Sequence, residues 1–155
     1  MRQQWRRWLP GPKHGVARGV VVYGAPVPPG PEQLREMLGR CESLREWARL
    51  EGFRLDPVPA NLQALDEAID RVIQEHGRHL VLSAVESDAG QFLGSVIVST
   101  VHGAHWRLWP NGYPVVRLAS GRDLDVISLA HDRTHGRQPR LADVYANARA
   151  SDPGN

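Results

Sequence analysis

The sequence predicts an α/β fold of the α+β type, with a helical hairpin and a central buried helix packed on a small antiparallel sheet of three to four strands. Three observations carry this expectation. The stretches 31–52 and 59–76 repeat apolar residues at three-to-four residue spacing and are separated by an Asp56-Pro57-Val58-Pro59 break. Residues 87–101 are apolar on nearly every side, as a helix enclosed by other elements must be. Two alternating runs, 104–109 and 113–118, flank Pro110-Asn111-Gly112, a hairpin turn with its glycine where positive φ is required.

In chain order, residues 1–9 read as about two helical turns with Trp5, Trp8 and Leu9 on one side, ended by Pro10-Gly11-Pro12. Val20 to Tyr23 is a β-branched run between two glycines and reads as a short strand, and Pro26 to Pro31 is a stiff linker. Pro31 at a first helical position opens one amphipathic helix through Leu34, Leu38, Cys41, Leu44 and Ala48, closed by Gly52. Leu62, Leu65, Ile69, Val72 and His76 continue the period in a second, antiparallel helix before Gly77. Residues 78–86 fit a strand and a buried helix equally well. Ser87 and Asp88 are then expected to cap the central helix, whose Gly90 and Gly94 leave a smooth strip for close packing.

The hairpin turn fixes a register. Trp109 faces Tyr113, Arg107 faces Val115 and His105 faces Arg117 on one side, while Ala104, Trp106 and Leu108 meet Leu118, Val116 and Pro114 on the core side. A second turn at 119–121 leads to a third strand over 122–126, with Asp123 beside Arg117. A helical piece over 127–135 and a last helix over 141–150 complete the chain, followed by a polar tail expected to be disordered at 151–155. The domain organisation is thus a basic N-terminal segment (1–18), one α+β domain (19–150) and the tail; 155 residues suffice for one core and not comfortably for two.

Charge divides the chain the same way. Of 19 basic residues, five (Arg2, Arg6, Arg7, Lys13 and Arg18) lie in residues 1–18 with no acid, leaving 14 against all 17 acids and a body near −3. That disfavours a globally basic nucleic-acid binder. One cysteine makes no internal disulfide and no thiolate zinc site, which favours a reducing, cytoplasmic compartment. Prolines and glycines stand where an export signal needs its apolar stretch, and no run approaches a membrane span.

Several motifs carry a resemblance: Gly90-x-x-Leu93-Gly94 with Val96 to Val98, Ala104-x-Trp106-Arg107-x-Trp109-Pro110-Asn111-Gly112, Pro114 to Leu118, and Ser120-Gly121-Arg122-x-Leu124-Asp125-Val126. The chain resembles a family of uncharacterised actinobacterial proteins with a similar Trp/Arg-rich start, over roughly residues 1–150 and most densely from 87 to 126. The resemblance implies the fold and no activity, cofactor or partner. Arginine outnumbers lysine 18 to 1, in keeping with a high-GC bacterial source.

Candidate chemistry is sparse. His131 and His135 stand one helical turn apart, a spacing that lets both imidazoles reach one metal, with His102 and His105 as further candidate ligands. The residue after His131 is Asp132 rather than the glutamate of a metalloprotease helix. Cys41 sits at a core position and reads as a small buried hydrophobe. No serine has a nucleophile-elbow context, and no P-loop or dinucleotide fingerprint is present, so nothing identifies an enzyme and no cofactor is implied.

The outer hairpin face, with His105, Arg107, Trp109, Tyr113 and Arg117, can in principle stack bases or grip anions unless Asp123 and Asp125 neutralise it. Arg2, Trp5, Arg6, Arg7, Trp8 and Lys13 can hold an anionic membrane surface, each cation contributing about 1 kcal/mol. The expectation is a non-enzymatic binding or adaptor domain. Its hairpin face would meet a protein partner and its basic start would attach weakly to anionic surfaces, cytoplasmic and peripheral to the inner membrane. A small metal-dependent hydrolase and single-stranded nucleic-acid binding are the alternatives.

Overall fold

The computed structural model describes residues 29–76 and 80–152. The expected helical turns at 1–9, the strand at 20–23 and residues 26–28 of the linker lie outside the described residues. Within them the order is α1 (Pro31–Gly39), α2 (Glu42–Leu50), α3 (Pro59–His76), α4 (Leu80–Thr100), β1 (His105–Leu108), β2 (Pro114–Arg117), β3 (Asp123–Leu124), α5 (Val126–Thr134) and α6 (Leu141–Ala150). This is the α+β fold expected from the sequence.

The centre is α4. Its apolar residues Phe92, Leu93, Val96 and Ile97 are buried, and it packs against α1, α2, α3, α5, α6 and the first two strands. A helix with neighbours on all sides has no polar face, which is the pattern the sequence displays. From Leu80 on the ambiguous stretch is helix, so Ser87 and Asp88 lie inside α4 rather than capping it.

Asp88 caps another helix instead. Its Oδ2 accepts from the Leu44 backbone N–H in the first turn of α2 at 3.1 Å. This matters because the single helix expected over 31–52 is two helices, broken at Arg40-Cys41. Cys41 takes left-handed φ of 44°, an uncommon conformation for a residue with a side chain. The amides freed at the break meet Asp88, while Arg45 donates to the freed Arg40 carbonyl at 2.9 Å and also to Leu55 O. Apolar spacing runs unbroken across Leu38, Cys41 and Leu44, all buried, so periodicity alone does not reveal the kink.

The sheet has order β1-β2-β3, antiparallel, with the expected register: His105 opposite Arg117, Arg107 opposite Val115, and Arg117 opposite Asp123. Gly112 sits at φ 81° and donates to Trp109 O at 2.7 Å, and Asn111 Oδ1 accepts from Tyr113 N–H, closing the turn. The third strand is shorter than expected. Asp125 accepts from Ser128 N–H at 2.9 Å as the N-cap of α5, which turns the chain into helix at Val126.

The two glycines of α4 each receive a different neighbour. A β-carbon at Gly94 would stand 2.2 Å from the Trp106 ring of β1, and one at Gly90 would stand 2.7 Å from Ile127 Cα and 2.8 Å from Val126 O. The smooth strip thus seats a strand tryptophan and, one turn away, the first turn of α5.

A buried ionic hub ties the last two helices to α3. Asp66, fully buried, accepts from Arg133 Nε at 2.7 Å and from the Leu141 and Ala142 amides at the start of α6. Arg133 also reaches Asp70 at 2.5 Å, and Arg140 closes the group on Asp70 at 3.3 Å. Every charge there has a partner, the condition for burying it.

Candidate functional site

The outer face of the hairpin is the largest group of residues singled out by sequence. Tyr113 is 2% exposed and Trp109 is partly buried, their rings stacked with centroids 5.6 Å apart. Their polar ends are engaged: Trp109 Nε1 donates to Asp123 at 2.9 Å and Tyr113 OH donates to Asp125 at 2.8 Å. Arg117 grips both oxygens of Asp123, at 2.7 and 3.1 Å. The hydrogen bonds from Arg117 hold the Asp123 carboxyl down at about 2. Arg107 lies near enough to add to that pull, and His105 is exposed, its ring against Gly103 O. Both aromatics and one arginine of this face therefore satisfy the protein's own carboxylates.

The second group is the histidines. His131 and His135 come together in the last turn of α5, with ring centroids 4.1 Å apart. The third member is Glu86 on α4: one potential ligand atom from each of Glu86, His131 and His135 lies within 4.8 Å of the others. His102 and His105 do not join them; both are exposed, at the far end of α4 and on β1.

The rings are held. His135 Nδ1 lies 2.7 Å from His131 O, a carbonyl that only accepts, so Nδ1 is the donor there and Nε2 is the nitrogen left to meet a metal. His131 Nδ1 lies 3.1 Å from Glu86 Oε2, with side-chain exposures of 25% and 12%. A ring nitrogen tied to a carbonyl is a usual arrangement of metal-binding imidazoles, and His135 has it; at His131 the carboxylate in contact is Glu86, itself one of the three candidate donors. The end of α5 adds the negative end of its helix dipole, which favours a cation. Imidazole and carboxylate donors together suit zinc and neighbouring first-row divalent ions.

Sequence reasoning reached the two histidines and missed Glu86. With 78–86 undecided between strand and helix, the direction of Glu86 had no basis. The signal was Gly90. Because Gly90 presses on Ile127, residues one turn back on α4 and one turn forward on α5 meet in an antiparallel crossing, and those are Glu86 and His131.

The remaining candidates carry less. The basic segment with Arg2, Trp5, Arg6, Arg7, Trp8 and Lys13 lies outside the described residues. Cys41 is buried, donates to Leu38 O, and has its thiol pushed far up by burial, so it is a core side chain. A depression between α3 and α6 is lined by Gln63, Glu67, Arg71 and Asp143 along with Asp70 and Arg140 of the ionic hub. Among the described residues no helix is long and apolar enough to cross a membrane.

No curated protein and no solved structure matches the chain. A family model does, over residues 4–151, nearly the full length and more than the stretch where the sequence motifs are densest. The chain therefore belongs to the family of unknown function DUF6278.

Proposed function

We propose that the protein is a binding domain whose ligand is a first-row divalent transition-metal ion of the zinc class, held by Glu86, His131 and His135. The observation that carries this reading is the convergence of the three side chains across the α4–α5 crossing, with one histidine fixed in the tautomer that frees Nε2. The hairpin face is the weaker basis for a function, because Trp109, Tyr113 and Arg117 are engaged by Asp123 and Asp125. Base stacking or partner docking there would first have to break those bonds. Elemental analysis of protein purified without an affinity tag tests the metal reading. Near-stoichiometric zinc, manganese, iron, cobalt, nickel or copper that is lost in His131→Ala and His135→Ala supports it; metal content unchanged in those variants removes it.

The charge split, +5 in residues 1–18 against about −3 beyond, supports a separate role for the basic start at anionic membrane surfaces. Flotation with anionic vesicles compares the full chain with one beginning at Gly19. Binding by the full chain alone supports the role, and equal behaviour of both removes it.

A further inference from the structure

We infer that the metal held by Glu86, His131 and His135 keeps an open coordination position and takes a small exogenous monoanion there; this rests on the metal-binding reading above. The first ground is donor number. A closed structural zinc site has four protein ligands, whereas three ligands leave a position for water or an added base. Among the described residues, no fourth histidine, cysteine or carboxylate joins the cluster. The two other histidines of the sequence-based set, His102 and His105, stand apart from it.

The second ground is access. His131 retains 25% side-chain exposure, His135 is only partly buried, and on α4 Ser83 and Ala84 are exposed just before Glu86. Glu86 is the most enclosed donor, at 12% side-chain exposure, while the two histidines lie at the edge of the core, the side from which a small molecule would approach.

The third ground is charge. Imidazole ligates a metal as the neutral ring, so of the three donors Glu86 alone contributes a formal negative charge. A divalent ion with that donor set carries a net single positive charge, which one monoanion neutralises. The other charged groups of α5 are spent elsewhere: Arg133 on Asp66 and Asp70, and Asp132 on Arg137. A neutral base gains no such neutralisation.

Cobalt(II) added to the full-length, metal-free protein reports each step through its visible absorption. The expected result is a spectrum that appears at one equivalent, is lost in His131→Ala and His135→Ala, and shifts saturably with azide and acetate but not with imidazole at the same concentration. A histidine-dependent spectrum that no added ligand moves, with the intensity of a four-ligand tetrahedral site, overturns the open position and leaves the metal reading standing. A response to imidazole alone overturns the monoanion assignment. A spectrum indifferent to both histidine substitutions overturns the metal reading itself, and circular dichroism of the variants shows that loss of colour is not loss of fold.

Discussion

At the scale of single residues, four aspartates do the work that turn and cap rules assign to local sequence, and three of them act at a distance. Asp125 caps its own helix, but Asp88 caps α2 from the middle of α4, Asp66 caps α6 from α3, and Asp123 holds two strands' side chains at once. Asp123 gives a pH prediction. Its folded value of about 2 lies below the ordinary aspartate value of about 3.9. A depressed folded value means the stabilisation is complete above about pH 4 and lost as pH falls toward about 2. The indole N–H resonance of Trp109, followed by NMR, should therefore titrate with a midpoint near 2; a midpoint near 4 would show that the Arg117 pair is not held in solution.

Asp88 has the opposite sign. Burial raises its carboxyl above the usual range, so its folded value exceeds the unfolded one and stability falls as pH rises through it. Asp88→Asn keeps an oxygen for the Leu44 amide and removes the buried charge. In urea unfolding at pH 7 it should equal or exceed the parent in stability, whereas Asp88→Ala loses the cap and about 1 kcal/mol. Equal losses in both would contradict the capping role. Asp66→Ala is expected to be worse, about 3 kcal/mol, because it leaves buried Arg133, only 3% exposed, with Asp70 as its one remaining carboxylate and uncaps α6.

At the scale of elements, what could be read from sequence was what short-range pattern determines. The helix at 59–76, the hairpin register and the last helix at 141–150 all follow from period, turn residues and breakers within a few positions of themselves. The break at Cys41 was not legible, since its stabilising groups, Asp88 and Arg45, compensate an interruption that the apolar period conceals. The extent of α4 was not legible for a related reason: Leu80 to Val85 is apolar enough for either strand or helix, and tertiary packing decides. One of the three candidate site residues went the same way. His131 and His135 are visible at four-residue spacing, while Glu86 becomes a neighbour only once α4 and α5 cross.

That crossing depends on glycine. Gly90→Ala sets a β-carbon against backbone atoms of α5, which cannot rotate aside, and should cost about 1–3 kcal/mol by forcing the helices apart. It should also weaken metal binding, since Glu86 and His131 separate with them. Gly94→Ala meets the Trp106 ring and should cost stability by a similar amount without touching the metal site. Thermal unfolding and zinc affinity measured on both variants separate the two effects; equal zinc affinity in both would contradict the link between the crossing and the site.

At the scale of the whole molecule, the helices are arranged around α4 so that one side of α5 is committed to structure and another to the candidate site. Arg133 points into the ionic hub with α3 and α6, while His131 and His135 meet Glu86. A metal bound at that crossing would join α4 to α5 one turn from the Gly90 contact. The central claim is that these three side chains form one binding site, and calorimetric titration of zinc into metal-free, full-length protein tests it most directly. One site per chain is expected, with affinity reduced more than about 100-fold by His131→Ala or His135→Ala, beyond the 10–100-fold typical of an orienting partner. Zinc binding that survives both substitutions together, or no binding by the parent protein, would contradict it.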